Sequence, residues 1–441
     1  MASEIVVLGA GESGMGAAVL AKKKGLKVFV SEKGTITKEN KKVLSNNEID
    51  WEEKGHSMQM ILSADEIVKS PGILDDSTLI QEILEQEINV ISEVEFASRF
   101  TDAKLVAITG SNGKTTTTLL ISYILKKAGY DVLVAGNIGI GFAREISKRD
   151  YDYIVLELSS FQLDGIQKFK PKIAIVLNIT PDHLNRYNNE FEKYVASKLR
   201  ISMNQSKDDI LIYNEDDISI RKNLKINARK IPFTLKNQIQ GEGAFYKNNE
   251  ININLNNNKM TIQELALQGR HNIYNSMAAA IAAKILDVKN DIIRQSMLDF
   301  QNVEHRLEFV LSVHGIDFVN DSKATNVNAT WYALESMSKS VIWIVGGKDK
   351  GNDYTEIEDL VKERVKTIIC IGESAEKIKT YFKKMTPQIE IANSMKEAVQ
   401  TSYRLGNKGD IVLLSPACAS FDMFDNFEQR GLEFKKQVRK L

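Results

Sequence analysis

The run Thr109-Gly110-Ser111-Asn112-Gly113-Lys114-Thr115-Thr116-Thr117-Thr118 offers what a triphosphate needs. Glycines let backbone N–H groups turn towards an anion, Lys114 supplies a point charge, and the Thr115 hydroxyl can ligate Mg²⁺. The apolar stretch Leu105-Val106-Ala107-Ile108 would feed this loop as a strand. A strict Walker A sequence would place glycine at position 108, so the match is to the shorter form G-x-x-G-K-T. ATP is the ligand this pattern implies, with Gly110, Ser111, Asn112, Gly113, Lys114, Thr115 and Thr116 as its candidate contacts.

Two further sites follow apolar strands. Tyr153 to Leu156 runs into Glu157, a carboxylate at a strand end where it could hold Mg²⁺ directly or through water. His183, in Asn178-Ile179-Thr180-Pro181-Asp182-His183, lies where ligands collect at the mouth of a parallel sheet. Near the N-terminus, Gly9-x-Gly11-x-x-Gly14 follows a strand, and Glu32 stands where an acidic ribose ligand belongs. A nicotinamide enzyme would not need a separate ATP loop a hundred residues on, whereas a sugar nucleotide accounts for both features.

The elements that must position these residues alternate strand, glycine turn and helix, the mark of α/β layers on mostly parallel sheets. Three restarts of that pattern predict three domains, over about 1–95, 96–302 and 303–441. The Asn-rich stretch from Lys236 to Met260 predicts an exposed hairpin, and an Ala-rich helix is expected from Asn272 to Leu286. At 441 residues one ordinary core is too small for the chain. Lys+Arg and Asp+Glu both number 58, so no global field favours nucleic acid or a membrane surface. No apolar run approaches the ~20 residues that span a bilayer. Cys370 and Cys418 are too few for a metal cluster and read as small buried hydrophobes. A cytoplasmic, monomeric protein is expected.

Taken together the motifs resemble the Mur ligases, which build the peptide of bacterial cell-wall precursors. The resemblance covers essentially the whole chain. It is carried by the ATP loop, Ala135 to Gly139, Leu156 to Leu163, Asn178 to Tyr187, Ser197 to Ile201, Gly269 to Asn275, Glu304 to Glu308, Asn320 to Asn326, Gly346 to Gly351 and Ser415 to Gly431. It implies a Rossmann-like N-terminal domain for UDP, a central ATP-binding domain and a Rossmann-like C-terminal domain for the incoming amino acid.

Residue by residue, the resemblance assigns Ser13, Glu32, Gly72 and Asn137 to the uridine nucleotide and its linkage. Ser31-Glu32-Lys33 departs from the family's Asp-Thr-Arg, which leaves the uracil and ribose contacts open. Asn272 would meet adenine, with Arg306 and Asp321 nearby. Asn272 would equally serve as a helix N-cap, and Arg306 could pair with Glu304 or Glu308. Lys323 is assigned to catalysis, and Thr325, Lys350, Ser420, Phe421 and Phe427 to D-glutamate. Two Mg²⁺ sites are implied, one near Thr115 and Glu157, the other near His183 and a carbamylated Lys198. Without the resemblance, Lys198 reads as a solvated lysine on a helix. The implied reaction is ATP-dependent addition of D-glutamate to UDP-N-acetylmuramoyl-L-alanine. Because its sites lie on different domains, the C-terminal domain is expected to close on binding ATP.

Overall fold

A computed structural model describes residues 4–138, 141–182, 184–267, 269–300, 304–335, 337 and 339–441. The expected α/β class holds, with three sheets. Two compact units contain them: Met1–Glu264 with Tyr274–Leu298, and Leu265–Ile273 with Asp299–Leu441.

The first sheet of the first unit comprises β1 (Glu4–Leu8), β2 (Lys27–Glu32), β3 (Asp50–Glu53), β4 (Glu66–Lys69) and β5 (Asn89–Ser92). Its order is β3-β2-β1-β4-β5, all parallel. Val6, Val7 and Leu8 are fully buried because helices cover both faces of such a sheet. The chain reverses direction across the sheet between β1 and β4, the kind of switch point where α/β sheets bind ligands. Gly14 opens the covering helix Glu12–Lys23, and a Cβ there would stand 1.9 Å from the Gly9 carbonyl oxygen. Only glycine lets the helix sit that close.

The second sheet carries β6 (Lys104–Thr109), β7 (Val132–Gly136), β8 (Tyr153–Glu157), β9 (Ile173–Val176), β10 (Ile210–Asn214), β11 (Arg229–Thr234), β12 (Gly243–Lys247), β13 (Glu250–Leu255) and β14 (Asn258–Ile262). Its order, β14-β13-β12-β11-β10-β9-β6-β8-β7, places β6 between β9 and β8 at the switch point. The Asn-rich stretch differs from the expected exposed hairpin. It is a three-stranded antiparallel meander continuing the sheet, with Ile251, Ile253, Leu255, Met260 and Ile262 buried. Asn248-Asn249 and Asn256-Asn257 make its two turns with positive φ, a conformation that Asn tolerates well. The alternation of Ile with Asn encodes one buried face, and the asparagines supply the turns.

One apolar cluster runs from Val7 and Ala18 through Phe96 and Phe142 to Leu156, joining the first two sheets. Two buried glutamates reinforce the joint. Glu95 Oε2 accepts the N–H groups of Gln167, Lys168 and Phe169 at 2.7–2.9 Å. Glu93 Oε1 accepts Ala143 N–H at 2.6 Å.

In the second unit the sheet comprises β15 (Glu308–Val313), β16 (Ile316–Asn320), β17 (Val341–Gly346), β18 (Val365–Ile371), β19 (Gln388–Ala392) and β20 (Ile411–Leu414), ordered β15-β16-β20-β17-β18-β19. β15 is antiparallel to its neighbour, and the sequence pattern does not mark it. The predicted restart at Val303 lies outside the described residues. Cys370 and Cys418 are free and buried, as expected.

Candidate active site

The ATP loop leaves β6 at the switch point of the second sheet and ends on the helix Lys114–Lys127. Asn178 holds its shape, accepting Asn112 N–H at 2.8 Å and donating to Asn112 O at 3.0 Å, as a paired strand would. Ser111 N–H donates to Asn178 O at 2.8 Å. The Ser111 hydroxyl donates to Thr180 O at 2.8 Å and lies 3.2 Å from the Tyr194 hydroxyl. Gly113 has φ +84°, and a Cβ there would stand 2.3 Å from Asn275 Oδ1. The left-handed conformation favours glycine there, and any Cβ would also oblige the Asn275 side chain to move. Lys114 Nζ donates to Gly110 O and Ser111 O, each at 2.9 Å, so its charge lies over the loop. Thr115 and Thr116 are buried in the first helical turn. With a helix N-terminus beneath the loop, the arrangement favours an anion.

Glu157 ends β8 one strand away and is only 2% exposed. Its Oε1 accepts Asn137 Nδ2 at 3.0 Å. Its buried Oε2 has no hydrogen-bond partner among the described residues. A buried carboxylate oxygen without a donor is costly unless a cation meets it. Mg²⁺ takes one or two protein oxygens and draws its remaining ligands from phosphates and water, so the sparse donor set fits it. Among the described residues, no three His, Cys, Asp or Glu side chains form a ready-made metal cluster. His183 lies outside the described residues. Asn137, assigned with the UDP-binding residues, stands against Glu157.

Lys198 corrects the reading of a solvated lysine. It is 2% exposed on the helix Phe191–Leu199. Its Nζ donates to Gly110 O at 3.0 Å and lies 4.6 Å from the centre of the Tyr194 ring. Burial pushes its ammonium well below the usual lysine range and nearby Lys114 pushes it further, while Asp182, Asp164 and Glu157 pull it back more weakly. Phosphate loop, unpartnered carboxylate and destabilised ammonium all belong to the first unit.

On the first sheet, Gly11 and Gly72 border open space, whereas Ser13 is half-buried in the first helical turn. Glu32 has work in the protein itself. Its Oε2 accepts Ala10 N–H and its Oε1 accepts Gly34 N–H, both at 2.7 Å, tying the first glycine turn to the turn after β2.

In the second unit, Asp321 follows β16. Its Oδ2 accepts the Ser415 hydroxyl at 2.8 Å and its Oδ1 accepts Leu307 N–H at 3.2 Å. Burial pushes it up to about 7, against the pull of Arg306. Glu304 and Glu308 converge on Lys435, at 2.6 and 2.7 Å. Asn272 is no N-cap: the helix Arg270–Ile285 begins two residues before it, and Asn272 is buried in the first turn. Lys323 Nζ lies 4.8 Å from the centre of the Phe427 ring, a cation–π contact. Thr325 is half-buried two residues on, Ser420 is buried, Lys350 is exposed and Phe421 is 67% exposed.

Three stretches match known family models: the MurD N-terminal domain over 4–79, the Mur ligase middle domain over 108–283, and the Mur ligase glutamate ligase domain over 305–418. The chain is 51% identical over 446 residues to the UDP-N-acetylmuramoylalanine–D-glutamate ligase of Christiangramia forsetii, with the whole of both chains covered. The chain belongs to the Mur ligase family. Ligases of the same name from Porphyromonas gingivalis and Salinibacter ruber are 51% and 42% identical, each covering 99% of this chain and at least 97% of their own. The fold is also that of the MurF ligase from Thermotoga maritima (TM-score 0.64, 16% identity, 96% and 99% of the chains covered). A pseudomurein peptide ligase type C from Methanothermus fervidus aligns over 99% of each chain (TM-score 0.62, 20% identity).

This Mur ligase also uses residues that sequence reasoning does not single out. Asn178 and Asn275 shape the ATP loop, and Tyr194 packs between it and Lys198. Buried Arg430 donates to Ser322 Oγ, Ser322 O and Cys418 O at 2.8–3.1 Å, fastening the loops before Lys323 and Ser420. All four lie in or beside the sequence motifs, so their position was visible and their partners were not.

Proposed function

We propose that the chain joins D-glutamate to UDP-N-acetylmuramoyl-L-alanine in a reaction driven by ATP, in cytoplasmic peptidoglycan precursor synthesis. The observation that carries this reading is the meeting of the ATP loop, the unpartnered Glu157 oxygen and the destabilised Lys198 ammonium in one unit. The two substrates are supported by relatives of that name, half identical from end to end. The working division is 1–95 for the UDP moiety, 96–302 for ATP and 303–441 for the amino acid, in a monomer.

A carboxylate does not condense with an amine at neutral pH, because its oxide leaves poorly. Transfer of the γ-phosphoryl group of ATP to the L-alanyl carboxylate gives an acyl phosphate. The amine of D-glutamate attacks its carbonyl, and the tetrahedral intermediate expels phosphate. Lys114 and the backbone N–H groups of Gly110 to Thr116 hold the triphosphate, with Asn272, Arg306 and Asp321 towards the nucleoside. Ser13, Glu32, Gly72 and Asn137 position the UDP substrate. Thr115, Glu157, His183 and Lys198 would hold two Mg²⁺ ions, which supply positive charge where three anions meet.

An ammonium repels Mg²⁺, so Lys198 can serve only after modification. A lowered ammonium leaves neutral amine, whose lone pair attacks CO₂. A C–N bond forms, a proton departs, and the cation becomes an oxygen-donating carbamate. Lys323 adds positive charge against the reacting anions, and Thr325, Lys350, Ser420, Phe421 and Phe427 grip D-glutamate.

Phosphate release from ATP tests the assignment. With UDP-N-acetylmuramoyl-L-alanine present it should require D-glutamate, and L-glutamate, L-lysine or no amino acid should leave it at background. Equal release with L-lysine would overturn it.

A further inference from the structure

At the carboxyl ends of β2 and β3, Ser31, Glu52 and His56 form a hydrogen-bonded trio that the proposed chemistry does not use. The buried Ser31 hydroxyl lies 2.6 Å from Glu52 Oε1 and 2.7 Å from His56 Nδ1. A carboxylate has no proton to give, so the Ser31 hydroxyl donates to Glu52. The serine oxygen is then left to accept, and His56 Nδ1 must carry the proton that meets it. In the neutral ring this makes Nε2 an acceptor, on the side away from Ser31. The ring is half-buried, and no hydrogen-bond partner meets Nε2 among the described residues.

The trio is held beside the nucleotide end of the sheet. Glu52 Oε1 also accepts Ser57 N–H at 2.8 Å, which fixes the loop bearing His56. Lys54 N–H donates to Gly34 O at 2.8 Å and Gly55 N–H to Glu32 O at 3.4 Å, joining that loop to the turn after β2. That turn is where such sheets meet the ribose. Both oxygens of Glu32 already accept backbone N–H groups. A group with an uncommitted acceptor stands next along the same edge, and it is His56.

We infer that His56 is a specificity-determining residue for the base of the nucleotide sugar, its Nε2 accepting the N3–H of uracil. This rests on the reading that the first sheet holds UDP. Uracil presents a donor at N3, and cytosine presents a lone pair there. A fixed acceptor therefore bonds the first and repels the second.

The test compares the unsubstituted protein with His56→Ala and His56→Gln, reading inhibition of ligation by free UDP and CDP and the KM for each substrate. UDP should inhibit the unsubstituted enzyme at least about tenfold better than CDP. In His56→Ala the KM for UDP-N-acetylmuramoyl-L-alanine should rise about tenfold, kcat and the KM for ATP should hold, and the UDP preference should shrink to about twofold. His56→Gln, whose amide oxygen can accept, should recover part of the preference. A His56→Ala enzyme with the UDP preference intact overturns the inference, as does one that loses kcat alone. Should the unsubstituted protein fail to ligate, the proposed function falls. Calorimetric titration of UDP and CDP into all three proteins would then still judge His56.

Discussion

Lys198 and Glu157 owe their chemistry to burial. A lysine with Nζ on the Gly110 carbonyl, sharing its surroundings with Lys114, is poorly suited to stay charged. Lys198→Ala should nearly abolish ligation, and added short carboxylates should restore part of it by replacing the missing oxygen donor. Full activity in the variant would remove the carbamate from the mechanism. Glu157→Gln keeps the Oε1 that accepts from Asn137 but removes the negative charge. It should raise the Mg²⁺ concentration needed for half-maximal activity by about tenfold to a hundredfold, with excess Mg²⁺ restoring part of the rate. An unchanged Mg²⁺ titration would place the metal elsewhere. Neither environment is written in the local sequence. Lys198 stands in a run that would suit a solvated helix, and only the fold reveals that Gly110 covers it.

At the scale of elements, the parallel strands were readable because apolar runs such as Ile5 to Leu8 and Tyr153 to Leu156 are covered on both faces. The ATP loop was readable because its chemistry is local to a few consecutive residues. The meander β12–β14 was only half legible: Asn and Ile alternate as a strand should, but which face meets a core depends on the neighbouring sheet. Least legible were the tethers between the first two sheets. Glu93 and Glu95 look like solvated residues of a short helix, yet both are buried, and the backbone N–H groups that Glu93 Oε1 and Glu95 Oε2 accept lie 50 and more residues away. Burial raises Glu93 from 4.5 to about 7, and the nearby Glu12 charge adds to it, against the Ala143 hydrogen bond. Folded protein therefore holds this proton across the window from 4.5 to about 7 where unfolded chain has lost it. By linkage stability falls as pH rises through that window, and the loss is complete above it. Glu93→Gln keeps an acceptor for Ala143 and cannot ionise. Relative to the unsubstituted protein it should gain on the order of 2 kcal/mol between pH 5 and pH 8 in urea unfolding. A difference independent of pH would show that Glu93 does not titrate there.

For the whole molecule, the proposed function divides labour between the two units. Lys350 and Ser420 belong to the second and are assigned to the amino acid alone. Lys350→Ala and Ser420→Ala should each raise the KM for D-glutamate by about tenfold, leaving the KM for ATP and for the nucleotide sugar within about twofold. A matching rise for all three substrates would mean that these residues act on the fold. The equality of acidic and basic residues at 58 each agrees with small anionic substrates met by local charges. Among the described residues, no helix is long and apolar enough to cross a membrane. In the proposed reaction the unit bearing the ATP loop, Glu157 and Lys198 activates a carboxylate by phosphorylating it. The most direct measurement uses UDP-N-acetylmuramoyl-L-alanine with heavy oxygen in its alanyl carboxylate. Mass spectrometry of the released phosphate should find one heavy oxygen per turnover, carried over from the carboxylate through the acyl phosphate. Phosphate free of the label, with ligated product still formed, would rule the acyl phosphate out.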